Sequence, residues 1–178
     1  MTTVMHTIPK PRRERPKVQA ILFTAGGRLF AVAADAVHEI RSADSLAGSA
    51  VEISQSPVQK VKHFVHRGAR VYFVVNSCVH FGLRPTRPRL VLILRGCPAA
   101  VLVDKIERME NIPAPSPLPF AFRGLEREWY LGLAQIDDQL IPVVDPAGFL
   151  SNAELTELNA TLRRAEAGAN QELQGART

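Results

Sequence analysis

Ile21-Leu22-Phe23-Thr24-Ala25-Gly26-Gly27-Arg28-Leu29-Phe30-Ala31-Val32 holds two short apolar runs on either side of a glycine pair. Tight hairpin turns need positive φ angles, which glycine adopts without a Cβ penalty, so residues 19–24 and 28–33 are predicted to form a β-hairpin. Runs of the same kind recur outward from it. Val37-His38-Glu39-Ile40-Arg41 follows, then Val71-Tyr72-Phe73-Val74-Val75, Leu90-Val91-Leu92-Ile93-Leu94, Ala100-Val101-Leu102-Val103, Tyr130-Leu131-Gly132-Leu133-Ala134 and Leu140-Ile141-Pro142-Val143-Val144. Short β-rich runs between turn residues predict small barrels or sandwiches. A chain of this kind presents surfaces more readily than it performs chemistry.

The remaining segments take their places around these strands. Residues 35–40 are expected to point Val37 and Ile40 inward, and the small polar residues 42–56 read as a long exposed loop. Residues 58–65 and 69–76 should pair across a turn at Arg67-Gly68. A short helical turn over 77–82 should stop at Gly82, and Pro85 and Pro88 mark a boundary between two β-rich blocks near 84–88. In the second block 90–94 pairs with 99–104, and 105–111 continues extended. Four prolines in 112–119 remove backbone donors and predict a surface crossover. Residues 129–136 and 139–145 form a last hairpin at Asp137-Asp138, since aspartate tolerates the left-handed conformation of such turns. Ser151-Asn152-Ala153-Glu154 is a capping box. Leu155, Leu158 and Leu162 then line one face of a helix expected to end at Gly168 and to pack on the barrels.

Composition narrows the class. The 178 residues, 46% hydrophobic, suffice for one domain or two very small ones. No apolar run reaches the roughly 18 residues of a membrane span, and the basic N-terminus lacks the apolar stretch of a secretory signal. Cys78 and Cys97 lack metal-ligand spacing and read as reduced, buried thiols, which predicts a cytoplasmic protein. Much of the net charge of +5 sits in Lys10, Arg12, Arg13, Arg15 and Lys17, interleaved with prolines. Residues 1–18 are therefore expected to be a disordered basic arm. A small basic β-barrel that binds nucleic acid remains the alternative class, although the rest of the chain is close to neutral and lacks an aromatic stacking surface.

Catalytic vocabulary is absent. His63 and His66 lie three apart in a strand and point to opposite faces, so with His80 they make no metal site. Asp137 and Asp138 diverge in their turn, whereas a carboxylate pair must converge on one substrate. Asp104 and Asp145 end strands, where aspartate ordinarily accepts turn or cap hydrogen bonds. No nucleophile elbow or phosphate loop is present. The expectation is no catalytic residue, no cofactor, no metal and no small-molecule substrate.

The ordered set of the 23–30 hairpin, Val37-x-Glu39-Ile40, Arg67-Gly68, Gly82-Leu83, Leu102-Val103-Asp104, Tyr130-x-Gly132-Leu133 and Ile141-Pro142-Val143 resembles the CheW-like family, coupling proteins of bacterial chemosensory arrays. The resemblance spans residues 19–152. It implies a mainly β fold of two intertwined five-stranded SH3-like barrels around a shared core, with a C-terminal α-helix and tail over 153–178. It further implies a non-enzymatic scaffold joining a chemoreceptor's cytoplasmic tip to the regulatory domain of a CheA-type histidine kinase, with no nucleic acid and no membrane insertion. A receptor tip would need an apolar groove for its helix. The expected walls are Ala34, Val37 and Ile40 on one side and Val101 and Val103 on the other. Glu39 and Arg67, expected on adjacent strands of the first barrel, should form a partly buried ion pair, suited to the planar arginine fork. Phe120 and Phe122 in the proline-rich crossover are candidate kinase and ring contacts. The family's usual residues are replaced at Lys62, Val65-His66 and Asn76, which leaves open a degenerate member that binds only one of the two partners.

Overall fold

In a computed structural model that describes residues 16–175, Gly26 and Gly27 have φ of 56° and 74° and join β1 (Lys17–Ala25) to β2 (Arg28–Ala33). Lys17 and Val18, expected at the end of a basic arm over 1–18, instead begin β1 and pair with Pro113 and Ile112. Residues 1–15, on which the rest of that expectation falls, and the tail residues 176–178 lie outside the described residues.

The chain continues through β3 (Val37–Ser42), β4 (Ala50–Glu52), β5 (Val61–Arg67), β6 (Arg70–Asn76), the helical turn α1 (Ser77–His80), β7 (Leu90–Leu94), β8 (Ala99–Val103) and β9 (Lys105–Pro113). After the crossover come β10 (Tyr130–Ile136), β11 (Gln139–Val144) and α2 (Asn152–Gly175). Two mixed sheets result, β10-β11-β2-β1-β9 and β3-β7-β8-β6-β5-β4. The connector at 84–88 does not divide them. Strands β7 and β8, which follow it, join β3 to β6, while the first hairpin joins β9 to β11. The parallel pairs β11–β2 and β6–β8 tie distant parts of the chain together.

The second sheet has six strands rather than five because part of the 42–56 segment is not a loop. Ala50 to Glu52 pair with β5, and the segment is held by the buried side chains of Leu46 and Ile53. Two isolated anchors among polar residues leave no period for sequence reasoning to detect.

The strands alternate with period two between separate cores. Ala20, Leu22, Ala31, Ile141 and Val143 fill the inside of the five-stranded sheet. Tyr72, Val74, Val91, Ile93 and Ala100 fill the inside of the six-stranded one. The opposite faces, including Phe23, Phe30, Phe73, Leu92 and Val101, meet in a third core between the sheets. Strands buried on both faces read as continuous apolar runs, which is why the sequence looks as it does. Helix α2 closes that shared core with Leu158 and Leu162. The capping box forms as expected: the Ser151 amide donates to Glu154 Oε2 at 2.8 Å and the Glu154 amide to Ser151 Oγ at 3.2 Å. The helix runs through Gly168 to Gly175, since one glycine costs only about 1 kcal/mol against alanine and does not end a helix by itself.

Candidate functional site

Strand β3 carries a hydrogen-bonded charge cluster on the surface. Arg67 Nη2 donates to Glu39 Oε2 at 2.5 Å, and Arg41 Nε donates to Glu39 Oε1 at 2.7 Å. Glu39 is thus shared between two guanidinium groups, and the pair expected from sequence is a triad. Arg41 lies two residues along β3, on the same face as Glu39, and that period was the signal for it. The expected adjacency is corrected as well. Three strands, β7, β8 and β6, separate β3 from β5 in the sheet. The contact therefore exists only because the sheet curls on itself, and the ion pair clasps its two sides.

The five expected groove residues do not share one accessible face. Val101 and Val103 are fully buried, and Val37 is buried with them in the core between the sheets. These three line no open groove. Ala34 is half-buried against that core, while Ile40, expected to point inward, is 40% exposed. The register of β3 on β7 shifts between Val37 and Glu39, and such an irregularity breaks the strict inward alternation.

The crossover after β9 presents the largest exposed apolar groups. Phe120 is 89% exposed, Leu125 73%, and Phe122 is also exposed. Leu125 escaped the sequence reading because it stands in a short 3-10 turn, Leu125–Glu128, among charged neighbours.

The replaced family positions divide into two kinds. Val65 is buried inside the six-stranded sheet, and Asn76 caps α1, its Oδ1 accepting from the Cys78 and Val79 amides at 3.0 and 3.2 Å. Both serve the fold. Lys62 and His66 remain on the surface. Asp104 accepts from the Thr86 hydroxyl and from the Gly27 amide, and Asp145 accepts from the Ala147 amide, so both carboxylates hold turns.

Among the described residues His80 is the one histidine with an unusual setting. It is 5% exposed and packs on Phe81, Trp129 and Phe149, with ring centroids 4.7, 4.6 and 5.0 Å away. Lys60 Nζ lies 3.3 Å from Nδ1 and also bonds Glu154 at 2.9 Å, which links the start of β5 to the first turn of α2. Burial first, and then the Lys60 charge, push the imidazole pKa down to about 3 against the opposing Glu154 carboxylate. The ring is neutral, and its Nδ1 faces the lysine as acceptor, so the proton sits on Nε2. Among the described residues no cluster of three or more His, Cys, Asp or Glu side chains is placed to hold a metal ion.

The CheW-like domain matches residues 19–154 of the chain. The fold is similar to that of the scaffolding protein TtCheW from Thermoanaerobacter tengcongensis, at 16% identity and a TM-score of 0.64, over 77% of this chain and 95% of that one. No curated protein matches the chain in sequence.

Proposed function

The chain belongs to the CheW-like domain family, a family of non-enzymatic scaffolds, and from that membership we propose that it couples a chemoreceptor's cytoplasmic tip to the regulatory domain of a CheA-type histidine kinase. The observation that carries the proposal is the presence of two exposed sites on different sheets, as a two-partner adaptor needs. One is the Glu39–Arg41–Arg67 cluster on the six-stranded sheet. The other is the Phe120 crossover that follows β9 of the five-stranded sheet. An exposed aromatic anchor suits a protein interface. The receptor helix would seat at the margin of the shared core, near Ala34 and Ile40, and not on Val37, Val101 or Val103. The adaptor would work in the cytoplasm, and no helix among the described residues is long and apolar enough to cross a membrane. Val65 and Asn76 serve the fold, so of the replaced positions only Lys62 and His66 bear on whether one partner has been lost.

Calorimetric titration with a CheA-type regulatory domain, in a chelator and without nucleotide, should give saturable binding. Glu39→Ala and Arg67→Ala should each weaken it, with the double variant little worse than Glu39→Ala. The coupling should exceed about 1 kcal/mol, above the range of ordinary exposed pairs. Glu39→Ala should be the more damaging, since it leaves two guanidinium groups facing one another, whereas Arg41 still holds the carboxylate in Arg67→Ala. No heat with both proteins folded would remove the kinase half of the proposal, and additive losses would remove the clasp.

A further inference from the structure

A cleft of about 390 Å³ lies between α2 and the Leu125–Glu128 turn, beside His80. Its apolar lining includes Val79, Leu125 and Trp129, the first two largely open to solvent. Exposed aliphatic groups gathered at a concave surface mark a binding site more often than a bare surface. Its charges are three carboxylates, Glu128, Glu154 and Glu157, against the single lysine Lys60. Lys60 is committed to Glu154, so Glu128 and Glu157 have no ion pair among the described residues. The neutral His80 ring adds no positive charge. The cleft therefore suits an extended segment with aliphatic side chains at one end and basic ones at the other.

The chain carries such a segment itself. Residues 1–15 hold Val4, Met5 and Ile8, followed by Lys10, Arg12, Arg13 and Arg15, with Glu14 as their single acidic residue. This stretch leads into Pro16, whose carbonyl accepts from the Ala114 amide at 2.8 Å. Ala114 begins the same crossover that delivers Leu125 and Trp129 to the cleft. Fifteen residues span up to roughly 50 Å when extended, enough to reach around a domain of this size. Tethering raises the effective concentration of a weakly binding segment to the millimolar range, so modest contacts suffice.

We propose that the N-terminal arm docks in this cleft of its own chain, with its aliphatic residues at 4–8 against Val79 and Leu125 and its basic residues facing Glu128 and Glu157. The arm is then a built-in occupant of a surface separate from the Glu39 cluster.

Trp129 is the only tryptophan of the chain and lines the cleft, and residues 1–15 contain neither Trp nor Tyr. Its emission is a direct reporter. A chain lacking residues 1–15 keeps β1 whole and should show Trp129 emission shifted to the red of the full chain. The peptide of residues 1–15, added in trans, should reverse the shift saturably. Glu128→Gln with Glu157→Gln should raise the peptide's Kd about fivefold, the effect of two exposed ion pairs. The same peptide with serine at 4, 5 and 8 should fail to bind. Unchanged emission on deletion overturns the proposal. So does peptide binding that ignores Glu128 and Glu157, or a serine peptide that binds equally well. A shift that depends on protein concentration, with a dimer in sedimentation, would assign the cleft to another copy's arm and overturn docking within one chain.

Discussion

Val101→Asp is expected to unfold the domain outright rather than to release one partner. Val101 sits at the middle of β8, opposite Val75 of β6 and Leu92 of β7, and none of it is exposed. Its side chain enters the core that joins the two sheets, where it packs among the groups that also receive α2. An aspartate there has no charged partner and must be buried ionised or protonated, at a cost of several kcal/mol either way. Total stability for a domain of this size is only about 5–15 kcal/mol. Circular dichroism should therefore show loss of the folded baseline at room temperature, or a steep fall in Tm. Ile40→Asp is the control, since a partly exposed position should change stability by no more than about 0.5 kcal/mol. A folded Val101→Asp chain that lost receptor binding alone would mean that the space between the sheets opens after all.

Lowering the pH from 8 to 5 should remove about 2 kcal/mol of stability through His80 alone, from its pKa of about 3 in the folded chain against 6.5 when unfolded. The sign follows from proton uptake. Below pH 6.5 the unfolded chain binds a proton that the native ring refuses, so the native state loses ground as pH falls from 6.5 towards 3. Above 6.5 the effect is absent. Glu154 adds to the trend at lower pH. Burial alone would raise its pKa, but the hydrogen bond from Lys60, aided by Ser151, holds it below the ordinary carboxylate value. Its contribution is fully present above the unfolded pKa and is lost as pH falls through the folded one. Denaturant titrations at pH 8, 6.5 and 5 measure the His80 effect, and only a further titration below pH 4 would bring in that of Glu154. His80→Phe keeps an aromatic ring against Phe81, Trp129 and Phe149 and should flatten the slope between pH 8 and 5. A slope that survives the substitution would place its origin elsewhere.

The parts of the fold that could be read beforehand are those where one local rule decides. Gly26-Gly27 needed positive φ, and Ser151 and Glu154 satisfied each other across a helix start, whereas the crossover expected over 112–119 begins only after Pro113, because Ile112 and Pro113 still pair with Val18 and Lys17. The parts that could not be read share a different cause. Leu90 to Leu94 and Ala99 to Val103 are buried on both faces, so no alternation told which side chains face a core and which face solvent. Val101 and Val103, expected as groove walls, accordingly lie in the core between the sheets. Strand β4 hangs on Leu46 and Ile53, too sparse to form a pattern. The Glu39–Arg67 contact followed from family resemblance, but its geometry did not, because curling of a sheet is a property of all its strands. His80 had the chemistry of an ordinary histidine until Phe81, Trp129 and Phe149, from three parts of the chain, closed around it.

The coupling role is tested most directly by reconstitution: the autophosphorylation rate of a CheA-type kinase measured with receptor cytoplasmic fragments, with and without this protein. The account predicts a rate that responds to the receptor fragments only when the protein is present, and a response that is lost with Glu39→Ala. A kinase rate that is the same with and without the protein, all three components being folded, would contradict it.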